Sequence, residues 1–127
     1  MKKRILVIDD EESVRKSYAL ALEDCGYNLD ASASGEEGLK NVKSINYDLI
    51  FLDLKMPGLN GIDTLYEIRK KDKKVSVFIV TAFHREFAGG LKSLQDDGID
   101  FQLLAKPIGR AQIIAVTRSA LEGLASY

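Results

Sequence analysis

The sequence has little of what extracellular, membrane-spanning or nucleic-acid-binding chains rely on. Cys25 is its one cysteine, so an intrachain disulfide, a zinc–thiolate cluster and a Cys-x-x-Cys redox pair are all excluded. That usage points to a reducing, cytoplasmic setting. The longest purely apolar run is Tyr18 to Leu22, far short of the roughly 20 residues that cross a bilayer. After Met1-Lys2-Lys3-Arg4 the apolar stretch ends at Asp9 and Asp10, too soon for a secretory signal, so neither export nor membrane insertion is expected. The chain carries 18 basic and 19 acidic residues, a formal charge of -1. Without a basic excess, the salt-sensitive attraction to phosphates behind nucleic-acid binding has no general source. Internal repeats and low-complexity tracts are missing as well.

What remains is an ordinary globular composition: 127 residues, 46% apolar and 29% charged, enough for one domain over residues 1–127 with a real core. Short apolar or β-branched runs recur at Ile5–Ile8, Leu29–Ala33, Leu49–Leu52, Val75–Val80 and Phe101–Ala105. Between them lie segments with helical spacing. Val14, Tyr18, Ala21, Leu22 and Cys25 share one stripe, Ile62, Leu65 and Ile68 another, and Ile113, Val116, Ala120 and Leu124 a third. Strands alternating with helices predict an α/β fold, a doubly wound five-stranded parallel sheet with helices on both faces. Gly89-Gly90 falls inside the expected fourth helix, where each glycine costs about 0.5–1 kcal/mol relative to alanine. That helix is expected to be short, late-starting or mobile.

In open parallel sheets, ligands bind beyond the carboxyl ends of the strands, where the winding reverses. That rule selects Asp9 and Asp10 after the first strand, Asp53 after the third, Thr81 after the fourth and Lys106 after the fifth. Three carboxylates packed together repel one another unless compensated. A hard divalent cation with oxygen ligands removes that penalty, and Mg2+ suits such a donor set better than zinc, for which thiolates are lacking. Carboxylate-bound Mg2+ also reaches for phosphate oxygens, so the arrangement suits a phosphoryl group.

These residues resemble the receiver domains of two-component response regulators. The matching text is Ile5-Leu6-Val7-Ile8-Asp9-Asp10-Glu11, Asp48-Leu49-Ile50-Phe51-Leu52-Asp53-Leu54-Lys55-Met56-Pro57 with Gly61, Val80-Thr81-Ala82, and Lys106-Pro107. The resemblance runs from residue 4 to about 124 and implies the flavodoxin-like strand order 2-1-3-4-5. It implies Asp53 as phosphoryl acceptor, Mg2+ on Asp10, Asp53 and the Lys55 carbonyl, and Asp9 acting on the metal through water. Thr81 and Lys106 are implied contacts to the phosphoryl oxygens, with a cis Lys106–Pro107 bond. The implied donor is a phosphohistidine on a sensor histidine kinase or histidine phosphotransfer protein. The implied output is a switch in binding to a downstream protein or fused output domain, with homodimerisation through the face of the fourth helix, fifth strand and fifth helix. Such a chain turns over no substrate beyond its own phosphorylation and dephosphorylation.

The sequence departs from the family around the output face. Leu103 occupies the position three before Lys106, where relatives commonly carry an aromatic, and Phe101 lies two residues earlier. This motivates an alternative, an atypical receiver acting as a constitutive protein-interaction module. A true aspartyl phosphatase is a third reading, but such enzymes usually need a second, acid-base Asp two residues after the nucleophile, where Lys55 stands, and a cap. Phe83 occupies a position that tunes dephosphorylation in relatives; being apolar, it predicts slow self-hydrolysis. His84 reads as a solvated or hydrogen-bonding loop residue, and Tyr18, Phe51 and Phe78 as core.

Overall fold

A computed structural model describes residues 2–123. Leu124, expected on the last helical stripe, lies outside them. The order of elements is β1 (Arg4–Ile8), α1 (Glu12–Leu22), β2 (Asn28–Ser32), α2 (Gly35–Ser44), β3 (Leu49–Asp53), α3 (Gly61–Lys71), β4 (Ser76–Thr81), α4 (Ala88–Asp96), β5 (Gln102–Ala105) and α5 (Arg110–Glu122). A single 3₁₀ turn, Arg85–Phe87, precedes α4. All five strands are parallel, in the order β2-β1-β3-β4-β5, as the sequence reading expected. Among the described residues, no helix is long and apolar enough to cross a membrane.

The continuous apolar character of β1, β3 and β4 follows from burial on both faces. Alternate side chains serve opposite layers. Leu6, Ile8, Ile50, Leu52, Val77 and Ile79 pack with residues of α2, α3 and α4. Ile5, Val7, Leu49, Phe51, Phe78 and Val80 pack with Tyr18, Ala21 and Leu22 of α1 and Ile113 of α5. Each such side chain contributes on the order of 1.5–3 kcal/mol by leaving water. The Tyr18, Phe51 and Phe78 rings form a run across the second layer, with centroids 4.9 and 5.9 Å apart.

Capping explains two helix starts. Ser34 accepts the Glu37 N–H before α2, and Asn60 accepts the Asp63 N–H before α3. Buried Arg69 near the end of α3 donates to the carbonyls of Val75 at 2.7 Å and Asp100 at 2.6 Å. It thereby ties together the chain entering β4 and the chain entering β5.

Helix α4 starts late and is short, as the paired glycines predicted, yet it contains both of them. Gly90 faces Ile62 so closely that a Cβ there would lie 2.9 Å from Cγ1. Gly89 faces nothing within 4 Å. β5 begins at Gln102, not Phe101, because the β4 pairing starts at Phe78 opposite Gln102. Phe101 instead packs against the α2–α3–α4 layer, while Leu103 is 38% exposed.

Gly61 is fixed by a closer approach. A Cβ there would meet the Asp53 carbonyl oxygen at 2.3 Å and Leu54 Cα at 2.7 Å, both backbone atoms that cannot swing away. Gly61→Ala should therefore lower urea-unfolding stability by about 1–3 kcal/mol through overpacking. Gly89→Ala, in open space on a helix, should raise it by about 0.5–1 kcal/mol. Equal effects at the two positions would contradict this account.

Candidate functional site

Because β1 is flanked by β2 on one side and β3 on the other, the connections leave the sheet in opposite directions beyond its carboxyl edge. A crevice opens there. Asp9 and Asp10 follow β1 directly, Asp53 ends β3, Thr81 ends β4 and Lys106 follows β5. The fold thus brings all five sequence-selected side chains to one edge.

Asp9 and Asp53 are 3% and 6% exposed, whereas Asp10 reaches into solvent. Carboxylate oxygens of Asp9, Asp10 and Asp53 lie within 4.8 Å of one another. The Lys106 ammonium lies 3.2 Å from Asp9 Oδ2 and 3.2 Å from Asp53 Oδ1. Asp9 Oδ1 also accepts the Glu11 N–H at 2.9 Å, and its main-chain carbonyl accepts Arg15 Nη1 at 2.9 Å. The Lys106 main-chain N–H donates to the Thr81 carbonyl at 2.9 Å, and the Lys106–Pro107 bond is cis. An open cleft of about 550 Å³ is lined by Asp10, Asp53, Lys55 and Lys106 among others.

One ammonium facing three carboxylates leaves a local deficit of positive charge. Burial, then the Asp9 carboxylate, push the Asp53 pKa up from 3.8 to about 6, although the Lys106 ammonium pulls the other way and Asp10 adds a smaller push upward. Burial works against the Lys106 ammonium, but Asp53 and Asp9 outweigh it and raise its pKa. Tyr18, lying beneath the site, is held neutral far above its usual range by burial and then by the charges of Asp9 and Asp53. The donor set is all oxygen, two of its carboxylates are desolvated, and their like charges are only partly offset. A small, hard dication fits such a site.

Two sequence-selected residues take roles the sequence did not show. Lys55 turns its ammonium outward to Glu86, 3.2 Å away across the cleft rim. Thr81 is buried, and its hydroxyl accepts the Phe83 N–H at 3.0 Å. Phe83 itself is 55% exposed and does not line the cleft, whereas Ala82 and His84 do. Sequence reasoning set His84 aside as a loop residue; a histidine three positions after the strand-end threonine was the available signal.

The doubly wound parallel sheet with an acidic cleft and a strand-end lysine defines an α/β domain with its site at the carboxyl edge of the sheet, and comparison with known proteins gives its family. The family model described as "Response regulator receiver domain" matches residues 5–118. The chain is 33% identical over 123 residues to the alkaline phosphatase synthesis transcriptional regulatory protein PhoP of Bacillus subtilis, covering 95% of this chain and 49% of that protein. It is 32% identical to the response regulator ArlR of Staphylococcus aureus, covering 93% of this chain and 52% of that protein. The chain spans about half the length of these curated relatives. Among solved structures, a CheY-like receiver domain protein from Methanospirillum hungatei superposes with a TM-score of 0.85 at 24% identity, covering 97% of this chain and 96% of that one, a likeness of fold. The response regulator TrrA of Thermotoga maritima, solved in complex with Mg2+–BeF, superposes with a TM-score of 0.77 at 34% identity, covering 94% and 99%. The chain belongs to the response regulator receiver domain family of two-component signalling.

The charge deficit generates a pH prediction for the metal-free protein. The unfolded Asp53 carboxyl ionises near 3.8 and the folded one at about 6. Below the lower value both states hold the proton, and as pH rises through 6 the folded state must accept an unfavourable charge. Stability is thus lost on going from pH 4 to pH 7. Asp53→Asn should remove this loss, gaining about 1–2 kcal/mol over the parent at pH 7.5 after allowance for screening at the open mouth, and little at pH 4. Urea titrations in EDTA check it; an Asn variant less stable than the parent at pH 7.5 would contradict it.

Proposed function

We propose that this receiver domain, taken as one unit over residues 1–127, accepts a phosphoryl group from phosphohistidine onto Asp53 in the presence of Mg2+. The observation that carries the reading is the shared contact of the Lys106 ammonium with Asp9 and Asp53 inside an oxygen-only acidic cluster. In this reading Asp10, Asp53 and the Lys55 carbonyl hold Mg2+ and Asp9 acts on it through water. The bound ion neutralises charge on the transferring phosphoryl oxygens. That TrrA was solved with Mg2+–BeF supports this choice of ion.

The residues of this chain divide the rest of the work. An Asp53 carboxylate oxygen attacks phosphorus in line with the departing imidazole, forming the O–P bond as the P–N bond breaks. Lys106 gives up part of its hold on Asp53 to meet an equatorial phosphoryl oxygen, supplying charge where it develops. The Thr81 hydroxyl accepts the Phe83 N–H at 3.0 Å and keeps its own O–H to donate to a second phosphoryl oxygen. Through that shared hydroxyl the segment between β4 and α4 would respond to phosphorylation.

The donor is a sensor histidine kinase or histidine phosphotransfer protein, which sets the reaction in the cytoplasm. The output is altered binding to a downstream protein or fused output domain, or to a second copy through the α4–β5–α5 face. The near-complete set of phosphoryl-handling side chains favours this reading over a constitutive interaction module.

Incubation with acetyl phosphate and Mg2+ should place one acid-labile phosphoryl group on the chain, detected by intact mass. Asp53→Asn should abolish it and EDTA should suppress it. Lys106→Ala should slow the initial rate by about 10–100-fold through loss of one charged contact. Undiminished labelling of Asp53→Asn would refute the assignment.

A further inference from the structure

We propose that His84 is a catalytic base for hydrolysis of the phosphorylated domain, taking a proton from the water that attacks phosphorus; this rests on Asp53 being the acceptor. His84 is the single histidine of the chain, and it lines the same cleft as Asp53 and Lys106. Its presence there follows from an unusual backbone. Phe83 has φ 59, a left-handed conformation uncommon for any residue with a side chain and costly for a bulky one.

The Thr81 hydroxyl, accepting the Phe83 N–H at 3.0 Å, holds that conformation in place. Its consequence is an exchange of neighbours. Phe83 is 55% exposed and does not line the cleft, whereas the next residue, His84, does. The Phe87 ring, edge-on at 6.4 Å and 68°, packs beside the imidazole. Strained backbone of this kind persists where the surroundings over-determine it and is concentrated at functional sites.

Among the groups around the cleft, histidine is the one whose ordinary ionisation suits a base near neutral pH. Facing it are Asp10 and Glu11 from the start of α1, Asp53 and Lys55 from the end of β3, and Lys106 from the end of β5. Arg85 and Glu86 are its neighbours on the 3₁₀ turn. Asp10, Asp53 and Lys106 are committed to the metal and the phosphoryl group. Glu86 is paired to Lys55. Histidine is the side chain that ordinarily exchanges a proton between pH 5 and 8.

The step balances. Water oxygen forms a bond to phosphorus as the bond from phosphorus to Asp53 Oδ breaks, and its electron pair returns to the Asp53 carboxylate. One water proton passes to the imidazole and then to solvent, leaving hydrogen phosphate.

Because Asp53 is esterified in the phosphorylated domain, its own titration drops out of the decay rate. Protein labelled with acetyl phosphate and Mg2+ is freed of donor, and loss of label is followed from pH 5.5 to 8.5 at saturating Mg2+ for the parent and for His84→Gln. The parent rate should rise across this range, while the variant rate stays nearly flat and is about tenfold lower at pH 8. Asp53-dependent label in both proteins with superimposable pH profiles would overturn the role of His84 and leave the acceptor assignment standing. Failure of both proteins to take label would overturn the acceptor assignment and this inference with it.

Discussion

The site depends on like charge forced together at the end of a parallel sheet. β1 and β3 are adjacent, so the buried Asp9 and Asp53 emerge side by side from the core. Lys106, brought in from the far end of the sheet by β5, is among the described residues the one ammonium paired with both. Its single charge faces three carboxylates, and burial, followed by the Asp9 carboxylate, holds the Asp53 pKa above its ordinary value despite Lys106. The cost of holding these charges together would fall with the arrival of positive charge, which is the physical basis for proposing that the cluster receives a dication.

Around this cluster the fold supplies rigidity on one side and freedom on the other. The carboxylates stand on strands buried on both faces, and Gly61 lets α3 close against the Asp53 carbonyl. The opposite rim is built from a left-handed Phe83, a 3₁₀ turn and a short α4. Few buried side chains anchor that rim: Leu94 is the one buried residue of α4. Such segments open at lower free energy than the core. The acidic cluster lies on the stiff side and the short elements on the other, joined through the hydroxyl of Thr81.

Much of this was legible in the sequence. The apolar runs of β1, β3 and β4 announce strands buried on both faces, and the residues ending each strand are placed by topology alone, so Asp9, Asp10, Asp53, Thr81 and Lys106 could be selected before any coordinates. Weak β2 was legible as weak because an edge strand needs less apolar surface. What could not be read depended on contacts between loops. Nothing local in Phe83-His84 signals that Phe83 takes a left-handed φ with its N–H on a β4 hydroxyl and that His84 lines the cleft. The Lys55–Glu86 pair joins two loops 31 residues apart. Arg69 reads as one more basic residue in a basic helix end until its carbonyl partners on two separate segments are seen. Phe101 and Leu103 share a strand face by periodicity, but the pairing of β5 begins one residue later, leaving the first packed and the second half in solvent.

The most direct test of the charge-deficit account is calorimetric titration of Mg2+ into the unphosphorylated protein in buffers of different ionisation enthalpy. With Asp53 ionising at about 6, binding of one ion per chain at pH 6 should release about half a proton, and binding at pH 8 almost none. Saturable binding with no proton release at pH 6, or no saturable binding at either pH, would contradict the account.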